Sequence, residues 1–403
     1  MGTPLKHLLL TTVEDPFNVR SWSGIPYSLR EALEGQVERL TVFSPGPPSR
    51  NPLDVARRLW HGGEPAKYPL WMTEATLKKN ARELQAKIEE VRPDAVLSIS
   101  SQCVIYLERP GRPVFMFSDA PWLAWREAYR GTISEPVKMA WFAEREAETA
   151  RRLDGLCFGS AWAVGEAERL YARRSDVKNA DAAETDAARS LRERLHVTPL
   201  GANWRPAMSR EEIFASVEER SGDELQLLYV GKDWERKGGP LAVEVTRLLH
   251  ERGRRVRLNI VGCNPELAQE TASFVTMHGL LSQDDPKQRE VLAGLFQRSH
   301  FLLVPTLAEC FGLVFAEAQA YALPPISRAI HALPSVVVDG VTGLLMDPGA
   351  PASAYVTRIL GLLDDPAAYR QMAVQARERF ENLLNWNKTA ETIVRHMSAA
   401  MGQ

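Results

Sequence analysis

The chain of 403 residues lacks several features that would place it in other classes of protein. No apolar run approaches the ~20 residues that span a bilayer, and Met1 to Leu10 does not form the pattern of a signal peptide. Cysteine is scarce, and C-x-x-C spacing does not occur, so neither a zinc site nor a disulfide framework is expected. We therefore expect a cytoplasmic protein with no transmembrane segment and with reduced cysteines. The four cysteines are Cys103, Cys157, Cys263 and Cys310.

The sequence also lacks an excess of charge of either sign. It holds 49 Lys and Arg against 51 Asp and Glu, a formal net charge of −2. Nucleic-acid-binding proteins usually carry a basic excess, so we expect no nucleic-acid partner. A near-neutral chain offers no polybasic membrane-docking surface either, which leaves only a local patch for peripheral membrane contact.

Short apolar runs alternate with amphipathic stretches along most of the chain, which predicts parallel sheets flanked by helices. The alternation breaks between about residues 171 and 224 and restarts at the strand Leu225–Val230. We therefore predict an α/β protein of two Rossmann-like, doubly wound domains that face an interdomain crevice. Its parts are an N-terminal acceptor-binding domain (1–205), a C-terminal nucleotide-sugar-binding domain (206–380) and a final helix that crosses back to the N-terminal domain (381–403). The charged residues 173–194 predict an exposed helical insertion. The nine predicted strands are His7–Thr12, Arg39–Phe43, Ala95–Ser98, Val114–Phe117, Gly155–Phe158, Leu225–Val230, Arg257–Val261, Phe301–Val304 and Pro325–Ser327.

The densest signal for chemistry follows the predicted strand Phe301–Val304, in the segment PTLAECFGLVFAEA at 305–318. Gly312 stands where a helix is expected to begin, and the free backbone amides of a helix start suit a phosphate. Glu309 precedes that start and Glu317 follows it, ~12 Å away if eight residues are helical. Carboxylates accept hydrogen bonds from vicinal hydroxyls. The alternative is two ordinary glutamates, because this spacing is common by chance.

This segment resembles the E-x7-E motif of the retaining GT-B glycosyltransferases of group 1, glycosyltransferase family 4 and its relatives. The resemblance implies that Glu309 contacts the hydroxyls of a donor sugar and that Glu317 holds the ribose of its nucleotide. The backbone that it places against sugar or phosphate belongs to Phe311, Gly312, Leu313 and Val314.

A second motif, YVGKDWERKGG at 229–239, follows the first strand of the C-terminal half. It resembles the family's G-R-x-x-x-x-K-G loop, whose two cations contact the diphosphate. They correspond here to Lys232, where lysine replaces the usual arginine, and to Lys237. Arg236 competes with Lys237 for this role, and a solvated basic loop is the alternative for the whole motif.

Weaker resemblances complete the candidate site. Gly24, in a W-S-G loop after the first strand, is placed near a phosphate or the acceptor. Asp119, at a strand end, is a candidate to contact donor sugar or acceptor, with capping of the next helix as the alternative. Leu281 is placed near the nucleobase. Aromatic side chains either stack on sugars or pack in the core, and the tryptophans near predicted loops are Trp22, Trp60, Trp71, Trp122 and Trp125.

The resemblance implies transfer of a sugar from a nucleoside-diphosphate sugar, UDP or GDP, to a hydroxyl of a saccharide, lipid-linked glycan or small metabolite. The anomeric configuration is retained, the leaving diphosphate takes the acceptor proton, and neither metal nor cofactor is expected. The catalytic candidates are Glu309, Lys237 and Asp119. Two alternatives stay open. One is another GT-B enzyme, a nucleotide-sugar epimerase or a pseudoglycosyl transferase, and the other is a non-catalytic sugar-nucleotide-binding subunit.

Overall fold

The computed structural model describes residues 5–63, 67–108, 110–130, 137–172, 190–220, 223–282 and 285–402. The chain divides into two compact units, one of Met1–Leu200 with Trp386–Gln403 and one of Gly201–Asn385. The boundaries predicted at 205/206 and 380/381 lie within five residues of these limits. Most of the helical insertion predicted for 173–194 lies outside the described residues.

The N-terminal unit is built on a parallel sheet of six strands with helices between them. The predicted helix over 74–91 shows how the sequence places one of these helices, because Leu77, Leu84 and Ile88 repeat at helical spacing and are buried. The strands are β1 (His7–Thr11), β2 (Arg39–Phe43), β3 (Ala95–Ile99), β4 (Val114–Ser118), β5 (Gly155–Phe158) and β6 (Leu195–Val197). The helices are α1 (Ile25–Glu34), α2 (Pro52–Trp60), α3 (Glu74–Val91), α4 (Trp122–Ala128), α5 (Met139–Ala150) and α6 (Ala161–Tyr171).

The C-terminal unit repeats this plan with a second parallel sheet of six strands. Its strands are β7 (Leu225–Val230), β8 (Val256–Val261), β9 (Val275–Gly279), β10 (Phe301–Leu303), β11 (Pro325–Arg328) and β12 (Leu344–Met346). Its helices are α7 (Arg210–Glu219), α8 (Gly239–Glu251), α9 (Pro286–Arg298), α10 (Leu313–Ala320), α11 (Leu333–Val336), α12 (Ala352–Leu363) and α13 (Pro366–Asn382). The last helix of the chain, α14 (Trp386–Met401), belongs to the N-terminal unit.

Each sheet contains one point at which the direction of strand addition reverses. The N-terminal order is β2-β1-β3-β4-β5-β6, so the reversal lies between β1 and β3. The C-terminal order is β12-β11-β10-β7-β8-β9, the order of the Rossmann fold, with the reversal between β7 and β10. In such sheets the loops beyond the carboxyl ends of the two reversing strands part and leave a crevice for ligands. This rule marks one position in each unit where a site is expected.

The predicted α/β fold with two Rossmann-like domains is confirmed, and all nine predicted strands are present to within a residue at either end. Three strands were missed, β6, β9 and β12, and each is at the edge of its sheet. Within the described ranges, no helix is both long and apolar enough to cross a membrane.

Candidate functional site

The two strongest motifs of the sequence meet at the reversal point of the C-terminal sheet. The loop of the basic motif follows β7, and the loop of Glu309 follows β10, which pairs directly with β7 through Phe301 opposite Leu227 and Leu302 opposite Leu228. Both loops lie at the carboxyl edge of the sheet, where its ligand crevice is expected.

Glu309 is the centre of a charged cluster between these loops. Its side chain is 5% exposed, and Oε1 accepts a hydrogen bond from Nζ of Lys237. The Arg236 guanidinium lies 3.6 Å from the same oxygen, and the Thr306 hydroxyl lies 3.4 Å from it. A carboxylate so little exposed is costly to bury without such partners, and the two cations supply charged ones. The sequence had left Lys237 and Arg236 as competitors, and the structure brings both to Glu309.

Arg236 also ties the two loops together. Its carbonyl oxygen accepts from the Leu307 backbone N–H at 2.7 Å, and its guanidinium donates to the Ala308 carbonyl at 2.9 Å. The Thr306 hydroxyl donates to the Arg236 carbonyl at 3.1 Å. The side chain is further fixed by Asp233, 3.0 Å away. Sequence reasoning missed Thr306, because nothing in its spacing shows that it lies behind Glu309.

Helix α10 begins between Glu309 and Glu317, as the sequence predicts. Gly312 precedes its first residue with a left-handed backbone, φ 84°, and the first helical residue is Leu313. A Cβ at Gly312 would lie 2.6 Å from Cδ2 of Phe315, so only glycine fits there. No side chain caps this helix start, so the amides at the start receive no side-chain acceptor. Phe311 and Val314 are buried beside it.

Glu317 lies in the middle of α10 and has an unusual environment. Burial raises its pKa to about 7, while a hydrogen bond with the Trp204 backbone and the charge of Lys237 act in the opposite direction. The Lys237 charge therefore acts on both glutamates of the motif. Trp204, which holds Glu317 from the segment before α7, is another residue that the sequence analysis missed.

The remaining predicted residues are more dispersed. Lys232 follows β7 and is exposed, and among the described residues it forms no ion pair within 4 Å. Leu281 follows β9 and is partly exposed, in the loop where Ser282 donates its N–H to Gln288. Gly24 and Asp119 belong to the other unit.

In the N-terminal unit, Gly24 and Asp119 flank the reversal point of the first sheet. Gly24 has φ 80° and precedes the first residue of α1. Asp119 follows β4, and its Oδ1 accepts from the Ala120 N–H at 2.9 Å. The Trp122 N–H at the start of α4 donates to the Glu146 carboxylate at 3.0 Å and not to Asp119. Asp119 instead lines a pocket with four of the five tryptophans named from the sequence.

The fold and this site define a two-domain α/β protein of GT-B architecture. Among solved structures, sucrose-phosphate synthase from Thermosynechococcus elongatus is similar over 98% of this chain and 100% of that one, with a TM-score of 0.63 and 21% identity. HepE from Anabaena, solved in complex with UDP, is similar over 98% and 100% with a TM-score of 0.60 and 14% identity. At these identities, the likeness establishes the fold.

The family follows from the sequence of the C-terminal unit. Residues 224–365 match the family described as glycosyl transferases group 1, which confirms the predicted resemblance of this stretch to group 1 glycosyltransferases. The D-inositol 3-phosphate glycosyltransferase of Streptomyces avermitilis is 29% identical over 66% of this chain and 58% of its own length. The protein of the same name from an Arthrobacter species is 28% identical over 44% and 43%. The chain thus spans about half the length of the curated relatives it matches.

Proposed function

We propose that this protein is a glycosyltransferase that moves a sugar from a nucleoside-diphosphate sugar to a hydroxyl group of an acceptor. The observation that carries the proposal is the cluster of Glu309 with Lys237 and Arg236, at the reversal point of the C-terminal sheet and beside the start of α10. The family match of the same stretch supports it. Retained configuration, independence of a metal, a UDP- or GDP-linked donor and a cytoplasmic location are parts of the proposal.

The reaction breaks the bond between the anomeric carbon and the diphosphate oxygen and forms a bond from that carbon to the acceptor oxygen. The acceptor proton passes to the leaving diphosphate. Lys232 and Lys237 would neutralise the charge that grows on that diphosphate, with the amides at the start of α10. Glu309 would accept hydrogen bonds from the sugar hydroxyls, and Glu317 from the ribose.

Lys237 has a second task in this scheme. It neutralises Glu309 in the free protein, and it would be shared with the diphosphate when the donor binds. The curated relatives are named for inositol 3-phosphate, which favours a small polyhydroxy acceptor over a large one.

The proposal is tested with UDP, GDP, ADP and dTDP in thermal unfolding of the full chain, followed by transfer assays with sugar conjugates of the nucleotide that binds. Binding stabilises the folded state by RT ln(1 + [L]/Kd), which is ~2.7 kcal/mol at a ligand concentration of about 100 Kd. Substitution of the two central residues separates their roles. K237M is expected to lose both nucleotide stabilisation and turnover. E309Q removes the carboxylate that pairs with Lys237 and Arg236, so both cations remain available to the diphosphate. Nucleotide binding is therefore expected to persist, while kcat falls by ~10²–10³.

Arg254→Ala is the matched control. Arg254 is an exposed cation of the same unit that precedes β8, at the opposite edge of the sheet, and it pairs with Asp364 at 3.2 Å. This variant is expected to bind and turn over as the wild type does. Absence of stabilisation by every nucleotide would refute the proposal. Nucleotide binding without transfer or donor turnover would favour the non-catalytic alternative, and donor turnover without an acceptor would favour the epimerase.

A further inference from the structure

The pocket that Asp119 lines is formed by residues of the N-terminal unit, at the reversal point of its sheet. Its volume is about 170 Å³. Residues from the loops after β1, β3 and β4 line it, which is the position where the strand order β2-β1-β3 predicts a ligand crevice. Four tryptophans and three acidic residues are among its lining residues, namely Trp22, Trp71, Trp122, Trp125, Glu14, Asp119 and Glu146.

The aromatic side of the pocket is a rigid surface. Trp71 and Trp122 both meet the ring of buried Phe142 edge to face, at centroid distances of 5.6 and 5.0 Å. Trp125 stacks on Tyr129 at 5.5 Å. The lining tryptophans remain partly exposed. Packing thus holds Trp71, Trp122 and Trp125 in place while each residue stays partly exposed, as a surface for the apolar face of a ring-shaped ligand requires.

The backbone on the opposite loops is strained where it meets the pocket. Trp22 has φ 38° and Ser100 has φ 69°, and both residues line the cavity. Ser23, next to Trp22, has φ 55°. Left-handed backbone is unfavourable for residues with a side chain, above all for a bulky one, and such strain concentrates at sites where a ligand is held. The rest of the fold therefore offsets the backbone strain that holds Trp22 at this position.

The charge of the pocket restricts what it can hold. Among its lining residues are three carboxylates and neither lysine nor arginine. Glu146 is buried and accepts hydrogen bonds from the Ser101 hydroxyl at 2.8 Å and from the Trp122 backbone N–H and the Tyr171 hydroxyl, both at 3.0 Å. It therefore fixes the start of α4, while Glu14 and Asp119 are more accessible. The Arg126 guanidinium lies 5.5 Å from the Trp125 ring centre, but Arg126 is buried and does not line the cavity.

We propose that this pocket binds the acceptor of the transferase and that this acceptor is an uncharged polyhydroxy ring, a saccharide or a cyclitol without phosphate. The indole faces would pack on its C–H face. The carboxylates would accept hydrogen bonds from its hydroxyl groups, and the serine hydroxyls of the lining would accept from or donate to them. A phosphorylated ring would bring a dianion beside Glu14 and Asp119, and the lining residues include neither a lysine nor an arginine to pair with it. That the ligand is the acceptor rests on the proposed function, whereas the chemistry of the ligand rests on the residues of the pocket alone.

The test measures binding to the full chain by saturation-transfer NMR and calorimetry. The neutral probes are D-glucose, maltotriose and myo-inositol. Glucose 6-phosphate and inositol 1-phosphate are the phosphorylated counterparts of D-glucose and myo-inositol. At least one neutral probe is expected to bind, and its phosphorylated form is expected to bind at least ten-fold more weakly. The double variant E14Q/D119N is expected to reduce that discrimination.

W22G is the decisive substitution. Glycine adopts φ 38° without strain, so the fold is expected to persist with an unchanged or higher melting temperature, while affinity for the neutral probe falls at least ten-fold. Trp60→Ala is the control, because Trp60 is 88% exposed at the end of α2 and lies outside the pocket. It is expected to leave probe binding unchanged.

Nucleotide stabilisation, measured on the same samples, separates the two proposals. If a nucleotide binds but no neutral probe does, or if a phosphorylated probe binds as tightly as its neutral form, the pocket assignment is wrong and the proposed function stands. An unaltered affinity in W22G would also overturn it. If neutral probes bind and no nucleotide does, the proposed function fails and the pocket remains a saccharide site.

Discussion

At the scale of single residues, Glu317 gives the clearest dependence on pH. Burial raises its pKa from the ordinary 4.5 to about 7, so the folded protein holds this proton more tightly than the unfolded chain does. The resulting stabilisation is fully present below pH 4.5 and is lost as the pH rises through about 7. Glu317→Gln is therefore expected to be more stable than the wild type at pH 8, by at most about 3 kcal/mol, and nearly equal to it at pH 5. Urea unfolding at the two pH values measures the difference.

The same residue is expected to affect nucleotide binding in the opposite direction. The carboxylate that forms above pH 7 is a better acceptor for two ribose hydroxyls than the neutral acid. Nucleotide affinity of the wild type should therefore rise between pH 6 and 8 more steeply than that of E317Q, which corrects for titration of the nucleotide itself. Parallel pH profiles of the two proteins would remove Glu317 from the ribose site.

At the scale of elements, the start of α10 depends on one glycine. Gly312→Ala places a side chain at φ 84° and a Cβ 2.6 Å from the Phe315 ring. The left-handed backbone alone costs ~1–2 kcal/mol, and the displaced helix start is expected to weaken nucleotide binding as well. Gly361→Ala is the matched control, because Gly361 lies inside α12 with nothing within 4 Å of the added Cβ. It is expected to stabilise the protein by ~0.4–1 kcal/mol. Equal unfolding curves for the two variants would show that the loop tolerates a side chain at 312.

The sequence revealed the central strands of both sheets but not three of the edge strands. The central strands are continuously apolar because both faces of the sheet are covered, and this pattern alone located them. The missed strands β6, β9 and β12 are at sheet edges. β6 and β9 are largely half-exposed, and β6 and β12 have only three residues each, so no apolar run distinguished them. Short or half-exposed segments are stabilised mainly by pairing with a neighbour, which a single sequence does not display.

In the candidate site too, some residues could be found from the sequence and others could not. Motifs that lie in one loop, such as 231–239 and 305–317, were found because their spacing is local. The partners Thr306 and Trp204 were missed because they act across the fold on Glu309 and Glu317. Glu146 could have been found, since it follows Phe142 by four residues and precedes Ala150 by four on the buried face of α5. An acid within an apolar stripe predicts a buried carboxylate with specific partners.

At the scale of the whole molecule, the C-terminal helix α14 completes a unit that the chain left about two hundred residues earlier. Trp386, Ile393 and Met397 are buried in it, the Trp386 ring meets Phe117 of β4 at 6.4 Å, and the Thr389 hydroxyl donates to the Pro199 carbonyl at 2.7 Å. Burial of one large apolar side chain contributes ~1.5–3 kcal/mol, and a whole domain is stable by only ~5–15 kcal/mol. The N-terminal unit therefore depends on residues that follow its first part by nearly two hundred positions in the chain.

This dependence predicts a selective effect of substitutions in α14. Ile393→Ala removes a fully buried side chain and is expected to destabilise the N-terminal unit by ~2–5 kcal/mol, whereas Arg395→Ala, exposed on the same helix, is expected to have little effect. Calorimetry with and without the nucleotide that binds assigns the transitions, because the ligand raises the one that belongs to the C-terminal unit. In I393A only the other transition should fall. Because the C-terminal unit ends at Asn385, an equal fall of both transitions would mean that the two units unfold as one cooperative body, and α14 would then stabilise the Glu309 cluster as much as the tryptophan-lined pocket.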